Sequence, residues 1–296
     1  MPSRMAGSTR PTMRSRRTWS GRPDRRLLTA DGGKRGTTML ELYHSGLTTC
    51  SKQVRHCLRE KGLSYVSRYV ELWNYENLSP DYLKLNPNGV VPTLVHDGNP
   101  IINSFCINEY IDDVFPEPAL RPADPKDRAR MRYWAWTADE VHLSLARLTH
   151  ERMLKAALKD LGPEDLQIML RSTPVPEKRE RWNLLAKGGY SADQLQAALD
   201  NVLFIFRRVE EELSSRGPWL AGATFSLGDI NMVAIVHRIF ELYPDRLNRS
   251  DFPVLNGWWE RLMARPAAAY VYAEDTDEVP QRPPRKSIAG IAEFQV

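Results

Sequence analysis

A strand, a helix and a second strand follow one another directly after residue 39, and this order constrains the fold more than any other feature. Residues 40–43 have the pattern of a short strand, residues 50–61 carry apolar side chains at helical spacing, and residues 65–70 include β-branched and aromatic side chains. Two strands that are joined through a helix run parallel, because the crossover returns the chain to the same end of the sheet. The sequence therefore predicts a βαβ unit and an α/β fold here.

A β-hairpin and a further helix complete this unit. Residues 92–96 and 100–102 predict two strands, because the pair Asp97-Gly98 between them suits a tight hairpin turn. A short helix is predicted over residues 79–85, before the hairpin, and a longer one over residues 103–115, after it. The predicted order of elements is β-α-β-α-β-β-α.

The remainder of the chain has a helical pattern. Residues 117–125 are rich in proline and predict a linker between an α/β domain over residues 39–116 and an all-helical domain over residues 126–273. Apolar spacing predicts four helices in the second domain, over residues 126–148, 193–214, 227–242 and 253–263. A polar stretch over residues 162–189 is expected to interrupt them, and residues 274–296 are expected to form a disordered tail.

The basic charge of the chain is concentrated at its start. The formal net charge is +4, from 41 basic and 37 acidic residues, and residues 1–38 carry ten of the basic and two of the acidic ones. The rest is slightly acidic and shows no sign of a nucleic-acid-binding surface. Because residues 1–38 lack the apolar segment of a secretory signal, we expect a basic extension that is either disordered or spurious. In the second case the true start would be Met39.

Cysteine content and hydropathy exclude further classes of protein. The three cysteines are few and odd in number, which argues against a disulfide framework and favours a reducing compartment, the cytoplasm. No apolar run approaches the length of a membrane-spanning helix, so we expect no membrane partner. We also expect no metal, because no zinc pattern is present and His142, His150 and Glu151 are not spaced as metal ligands.

Three motifs resemble those of one family, the cytosolic glutathione transferases. Residues 86–94 read NPNGVVPTL and are similar to the most recognisable stretch of that family, in which the proline at Pro92 is cis and lies in the active site. Residues 103–104 and the capping-box pattern SLGD at residues 226–229 also match, and the resemblance covers residues 39–270. It implies a thioredoxin-like glutathione-binding domain followed by an all-helical substrate domain. It also implies a homodimer with glutathione as cosubstrate and a small hydrophobic or aromatic electrophile as substrate.

A narrower likeness is to the bacterial β-etherases, which cleave lignin aryl ethers, and to their fungal relatives. Residues 108–117, residues 120–125 and an insert over residues 175–190 are similar to segments of those enzymes. The resemblance implies that the thiolate of glutathione attacks a carbon next to a carbonyl, displaces a phenolate and leaves a glutathione thioether. The protein would supply positioning and stabilisation of the thiolate.

A short set of residues is expected to hold glutathione. By resemblance, Val91 precedes the cis proline Pro92, and its backbone N–H and C=O would pair with the cysteinyl backbone of the tripeptide as an added strand. Asn103 and Ser104 stand at a predicted helix N-terminus, where free N–H groups favour a carboxylate, so Ser104 would hold the γ-glutamyl carboxylate. Asn103 replaces the acidic residue or glutamine that is more usual in the family. The residue at Val90 is often polar there and holds the glycyl carboxylate, which valine cannot do.

The group that activates the thiol of glutathione stays open among several alternatives. A hydroxyl hydrogen bond to the thiolate and a nearby helix N-terminus both lower a thiol pKa. Thr48 matches the catalytic serine of the serine-type classes, whereas Ser51 matches a serine that the β-etherases carry at the helix start. Cys50 lies between them, and backbone amides alone are the remaining alternative.

Two other functions fit the same fold, since fold alone does not decide function. The residues at Val90 and Asn103 favour a binding or regulatory protein that has lost turnover. Cys50 at a helix N-terminus would make the protein a glutathione thiol transferase or lyase if its thiol formed a mixed disulfide with glutathione. Gln53 stands where a C-x-x-C pattern would have its second cysteine, and free buried cysteines are usually inert, so the sequence favours an unreactive Cys50. We expect Cys57 and Cys106 to lie in the core. Most side chains singled out on the long helix are expected to pack rather than to contact substrate: Trp134, Trp136, Leu145 and Leu148.

Overall fold

The computed structural model describes residues 39–159 and 161–273. A mixed sheet forms its first part, with the strands β1 (Leu40–His44), β2 (Val66–Tyr69), β3 (Thr93–His96) and β4 (Asn99–Ile102). The strand order is β2-β1-β3-β4, and β1 pairs parallel with β2 and antiparallel with β3, which pairs antiparallel with β4. The predicted βαβ unit and hairpin are confirmed. The expected extension over residues 1–38 and tail over residues 274–296 lie outside the described residues.

Helices flank the sheet and form most of the remaining described chain. Those of the first part are α1 (Thr49–Glu60), α2 (Pro80–Leu85) and α3 (Ser104–Val114). Those of the second part are α4 (Pro125–Thr149), α5 (Lys155–Lys159), α6 (Pro163–Ser172), α7 (Pro176–Ala186), α8 (Ala192–Arg216), α9 (Leu227–Leu242), α10 (Pro253–Met263) and α11 (Pro266–Tyr272). A π-helical turn, His150–Leu154, connects α4 to α5. The fold is the predicted one, an α/β thioredoxin-like unit followed by an all-α part.

The polar stretch over residues 162–189 does not interrupt the helices as expected, because it forms α6 and α7. Each helix has a proline in its first turn, Pro163 or Pro176, where the missing N–H needs no partner. Their apolar side chains belong to a small cluster apart from the main core, formed by Leu78, Leu158, Met169, Leu170 and Leu185. A narrow apolar face leaves most of each helix polar, so helical spacing does not stand out in the sequence.

The sequence pattern predicts α10 as the last helix, but a further helix, α11, follows it. It spans seven residues, which is too short for a helical period to be recognised. Ala268, Val271 and Tyr272 are nevertheless buried in the main core. The described chain therefore ends with a helix that packs rather than with an extended segment.

One apolar core joins the sheet to the helices. Leu42 of β1 and Val54 and Leu58 of α1 belong to the same buried cluster as Trp134 of α4 and Phe206 of α8. Helix α9 lies within this cluster and is buried on nearly all sides. Because interiors pack as densely as organic crystals, the shared core fixes how the two parts face each other.

A buried carboxylate secures the start of α9. Asp229 is completely buried in the first turn of that helix. Its Oδ1 accepts hydrogen bonds from the backbone N–H of Leu220 (3.0 Å) and from Trp258 Nε1 (2.9 Å). Its Oδ2 accepts from the N–H (3.0 Å) and the hydroxyl (3.1 Å) of Ser226. The predicted capping box is confirmed, and it also ties α9 to α10 and to the preceding loop.

We expect Asp229→Ala to lower the free energy of unfolding by about 3 to 5 kcal/mol, because buried N–H donors lose their acceptor. Asp229→Asn keeps one acceptor oxygen and is expected to lose less. Urea denaturation measures both variants. The control is Asp245→Ala, an exposed aspartate in the turn before α10, which is expected to stay within about 0.5 kcal/mol of the parent. If Asp229→Ala behaved like that control, the carboxylate would not be what holds α9.

Candidate active site between the sheet and the helices

A cleft of about 430 Å³ lies between the sheet and the helical part. This volume is within the range of small-molecule sites. The start of α1, the loop before β3 and the start of α3 form one wall, and α4, the π-helical turn, α6 and α7 form the other. All but one of the predicted site residues line the cleft: Thr48, Val91, Pro92, Asn103 and Ser104.

The two predicted hydroxyls at the start of α1 differ in their access to the cleft, which Thr48 and Thr49 line and Ser51 does not. Thr48 is the N-cap of α1, and its Oγ1 accepts a hydrogen bond from the N–H of Ser51. Ser51 is completely buried, and its Oγ accepts from the N–H of Ser45 (3.2 Å) and lies 2.7 Å from Thr48 Oγ1. Thr48 lines the cleft, whereas Ser51 does not. Which hydroxyl activates a thiol stays a prediction.

The loop before β3 presents an unpaired stretch of backbone. Val91 lines the cleft, and its peptide bond to Pro92 is cis. Among the described residues, no hydrogen bond partner is found for the N–H or C=O of Val91. The loop is held from behind, because Tyr82 Oη and Asn86 Nδ2 both donate to the carbonyl of Val90, at 2.6 and 2.8 Å. A ligand with an extended backbone can therefore pair with Val91 without displacing a bond within the protein.

Asn103 and Ser104, the two residues expected to hold the γ-glutamyl group, lie next to each other at the start of α3. Asn103 is the N-cap with a positive φ of 71°, and its Oδ1 accepts from the N–H groups of Phe105 (2.9 Å) and Cys106 (3.1 Å). Its Nδ2 lies 3.5 Å from Asp139 Oδ1, so its polar groups are engaged within the protein. Ser104, only 3% exposed, opens the helix and lines the cleft. Its N–H lies at the positive end of the α3 dipole, where a carboxylate is stabilised.

Cys50 and His142 meet in this cleft, although they are distant in the sequence. The Sγ atom of Cys50, in the first turn of α1, lies 3.7 Å from Nε2 and 4.0 Å from Nδ1 of His142 on α4. Burial raises the pKa of the Cys50 thiol, but His142 and the Ser104 hydroxyl outweigh burial, and the net pKa lies below its ordinary value. The Cys50 thiolate in turn raises the pKa of His142 against its own burial. Each of the two side chains therefore favours the charged form of the other.

Helix α7 brings to the cleft two cations that the sequence pattern did not reveal. Lys178 and Arg181 line the cleft, and neither forms an ion pair within residues 39–159 and 161–273. Lys178 Nζ lies 3.5 Å from the carbonyl oxygen of Asn88, close to the loop that carries Val90. Burial, and then the charge of Arg181, lower the pKa of Lys178. This end of the cleft therefore offers positive charge to an anionic ligand.

The π-helical turn adds an apolar and aromatic surface opposite the sheet. Met153 and Leu154 line the cleft, and the His150 ring stacks on Trp182 of α7 with 5.0 Å between ring centroids. Burial lowers the pKa of His150 to about 3, and the charge of Arg181 adds to this, so its imidazole is neutral at physiological pH. π-helical turns widen a helix locally and are frequent at functional sites. This surface suits an aromatic ligand.

Two expectations about α3 and α4 need correction. Cys57 is buried as expected, but Cys106 is exposed, because the buried face of α3 carries Ile107 and Ile111 instead. Trp136 is 49% exposed and does not line the cleft. The other side chains singled out on α4 do pack in the core: Trp134, Leu145 and Leu148.

Family models match both parts of the chain. The model for the glutathione S-transferase N-terminal domain matches residues 49–114, and that for the C-terminal domain matches residues 167–266. The chain belongs to the glutathione S-transferase family, and it is similar to the β-etherase branch of that family. The resemblance found in the sequence motifs is thereby confirmed.

Three relatives illustrate the breadth of this family. Protein LigF of Sphingobium sp. is 32% identical over 246 residues, which is 81% of this chain and 95% of LigF. The crystal structure of β-etherase LigF superposes with a TM-score of 0.74, over 79% of this chain and 98% of LigF. Glutathione S-transferase Z2 of Arabidopsis thaliana is 28% identical over 81% of this chain and 94% of its own length. FtsZ-localized protein A of Caulobacter vibrioides is 29% identical over 79% of this chain and 90% of its own.

Residues 39–159 and 161–273 contain neither a membrane span nor a metal-binding cluster. Within those residues, no helix is both long and apolar enough to cross a bilayer. The same residues contain no group of three or more histidine, cysteine, aspartate or glutamate side chains arranged to hold a metal ion.

Proposed function

We propose that this glutathione transferase uses bound glutathione to cleave aryl ethers. The observation that carries the proposal is the likeness to β-etherase LigF, which extends over 95% of that protein at 32% identity. The apolar and aromatic wall of the cleft supports it, since an aryl ether offers two rings to such a surface. In the reaction, the sulfur of glutathione forms a bond to the ether-bearing carbon, the carbon–oxygen bond breaks, and the phenolate leaves and takes up a proton.

In this proposal, glutathione lies along the wall of the cleft that the starts of α1 and α3 and the loop before β3 form. Its γ-glutamyl carboxylate lies at the N-terminus of α3, with the N–H and hydroxyl of Ser104. Its cysteinyl backbone pairs with the free N–H and C=O of Val91. The thiol then points towards Thr48 at the start of α1, where the hydroxyl and the helix dipole stabilise the thiolate.

The glycyl carboxylate needs a partner that the loop before β3 lacks, because Val90 carries no polar group. Lys178 of α7 lies next to that loop, with its Nζ 3.5 Å from the carbonyl oxygen of Asn88, and it has no ion-pair partner among the described residues. We assign the glycyl carboxylate to Lys178, with Arg181 contributing positive charge nearby. The helical part would thus complete the glutathione site that the sheet begins.

Assembly and location belong to the same proposal. We propose a homodimer that works in the cytoplasm, as expected from the family and from the three cysteines of the chain, all of which are free. Exposed apolar side chains on α4 and α8 offer surface for a second copy, since Trp136 is 49% and Phe204 58% exposed.

The substrate class is tested with an α-aryloxy ketone and glutathione. We expect release of one phenol for each glutathione thioether formed, with phenol followed by absorbance and the thioether by mass spectrometry. 1-Chloro-2,4-dinitrobenzene is the control electrophile. Conjugation of the control electrophile without release of phenol would reject aryl ethers as the substrate class, but it would leave the transferase function standing.

A non-catalytic binding protein is the rival function, favoured by the apolar Val90 and by Asn103, whose side chain is engaged within the protein. The same assay separates the two functions. No turnover of either substrate, together with no heat of glutathione binding in calorimetry, would favour the rival.

Variants of Thr48 and Ser51 test which of the two hydroxyls activates the thiol of glutathione, since only Thr48 lines the cleft. Thr48→Ala is expected to lower kcat/KM for the aryl ether roughly 100-fold, because the thiolate loses its hydroxyl donor, whereas Thr48→Ser should keep most of the rate. Ser51→Ala should lower stability more than it lowers kcat/KM at a temperature where it stays folded, since its Oγ accepts from the buried N–H of Ser45. A larger rate loss in Ser51→Ala than in Thr48→Ala would reverse the assignment.

Lys178→Gln is expected to weaken glutathione binding about tenfold, because a charge-assisted hydrogen bond to the glycyl carboxylate is lost. Lys187→Gln, an exposed lysine at the end of the same helix, makes the same change of charge away from the cleft and should have little effect. Calorimetry with glutathione and with its glycyl monoethyl ester supplies the second arm. The ester has no glycyl carboxylate, so Lys178→Gln should bind it as the parent does, and an equal loss for both ligands would refute the assignment.

A further inference from the structure

The proposed reaction determines which wall of the cleft the leaving oxygen faces. In a displacement at carbon, the attacking sulfur and the leaving oxygen lie in line on opposite sides of the reacting carbon. The sulfur of glutathione would lie at the start of α1, where Thr48 is the N-cap. The opposite wall, here called the helical wall, is formed by α4, the π-helical turn, α6 and α7. The phenolate oxygen therefore develops its charge towards the helical wall.

A phenolate that forms against this wall needs a hydrogen bond donor. The helical wall is largely apolar, with Met153, Leu154, Leu158 and Met169 among its side chains, and an unpaired negative charge is costly in such surroundings. Donors that are already in place where charge develops stabilise the transition state, typically by a factor of about 100 to 1000 for one donor.

Most polar side chains of the helical wall are not available as donors. The hydroxyls of Thr149 and Thr173 donate to backbone carbonyls one turn earlier in the chain, at 2.8 Å each. An ionised Asp139 only accepts hydrogen bonds. The His142 ring lies beside the Cys50 sulfur, 3.7 Å from its Nε2. Apart from the lysine assigned to the glycyl carboxylate, two groups of this wall remain.

The first remaining group is the guanidinium of Arg181 on α7. Arg181 is half-buried and lines the cleft, and no hydrogen bond or ion pair is found for it within residues 39–159 and 161–273. Its positive charge opposes the protonation of His142, His150 and Lys178. These three residues belong to α4, the π-helical turn and α7, so Arg181 lies where the three elements meet. Its five N–H donors have no partner in the described part of the chain.

The second remaining group is the imidazole of His150, which adjoins this cation. Its ring stacks on that of Trp182, the residue after Arg181, with 5.0 Å between centroids and 27° between ring planes. His150 is neutral, because burial and the charge of Arg181 lower its pKa to about 3. Its Nδ1 is buried and has no hydrogen bond partner among the described residues. A stacked pair of rings thus lies next to an unpaired guanidinium, which suits an aryl ring that carries an anionic oxygen.

We propose that Arg181 binds the phenolate that leaves, while the stacked rings of His150 and Trp182 hold its aryl ring. This inference rests on the proposed function, since it concerns the leaving group of that reaction. As the sulfur of glutathione gives an electron pair to the carbon, the pair of the carbon–oxygen bond moves to the oxygen, and the guanidinium N–H groups donate hydrogen bonds to it. Arg181 keeps its protons throughout, and the released phenolate takes a proton from water.

The role of Arg181 narrows the substrate class to ethers of ordinary, unactivated phenols. Their phenolates are strong bases and therefore poor leaving groups, so they gain most from a donor at the oxygen. An ether of an acidic phenol such as 4-nitrophenol gains less, because its phenolate is already stabilised by the nitro group.

The dependence of rate on the leaving phenol tests this role. The substrates are α-aryloxy ketones that share one ketone half and release phenols ranging from 4-nitrophenol to 4-methoxyphenol. Arg181→Met removes the charge and keeps a long side chain. We expect it to lower kcat/KM about 100-fold for the 4-methoxyphenyl ether but only about threefold for the 4-nitrophenyl ether. Arg181→Lys keeps a positive charge and should recover part of the loss.

Two controls separate an effect on the leaving oxygen from a general effect of the variant. Arg171→Met, at an exposed arginine of α6 outside the cleft, makes the same change of charge and should leave all rates unchanged. The α-chloro ketone with the same ketone half releases chloride, a very weak base, so Arg181→Met should conjugate it at nearly the parent rate. An equal loss for every leaving group, or no loss at all, would overturn the role of Arg181 alone. A parent that conjugates the chloro ketone but cleaves no aryl ether would overturn the proposed function and this role together.

Binding of a phenol supplies a readout that needs no turnover. 4-Nitrophenol is titrated with pH in the presence of the protein and S-methylglutathione, an unreactive analogue, and absorbance of the phenolate reports its ionisation. We expect the pKa of the bound phenol to lie about one unit below that of free 4-nitrophenol, because a guanidinium favours the charged form. The shift should be kept in Arg171→Met and lost in Arg181→Met, since Asp139, His142, His150 and Lys178 are present in both variants. A shift that persists in Arg181→Met would overturn the assignment.

Discussion

The carboxylate of Asp229 is the buried interaction on which the geometry of the cleft depends. It holds the first turn of α9, the loop at Leu220 and the indole of Trp258 through hydrogen bonds of 2.9 to 3.1 Å. Helix α9 in turn packs against α1 and α4, which supply opposite walls of the cleft. Asp229 thus helps to fix how α1 and α4 lie relative to each other, because a buried carboxylate has few arrangements that satisfy its hydrogen bonds.

Much of the fold and part of the site could be predicted from local sequence, for physical reasons. The turn at Asp97-Gly98 and the helical spacing of apolar residues around Val54 are local signals. They therefore specify the hairpin and α1 independently of how the rest of the chain folds. The partner of Cys50 could not be found in this way. His142 is 92 residues away, and its approach depends on how α1 and α4 pack across the shared core.

Helices α6 and α7 rest on an apolar cluster of their own, apart from the core that contains Asp229. Leu158, Met169 and Leu185 belong to this small cluster, and Leu158, Met169 and Trp182 also face the cleft. Substitutions at these positions alter the substrate wall while leaving the main core intact, since distant sites contribute almost independently to stability. Evolution can therefore change the preferred electrophile of such a protein through these apolar positions, while the residues proposed to bind the tripeptide, on the sheet side and at Lys178 of α7, stay under separate selection.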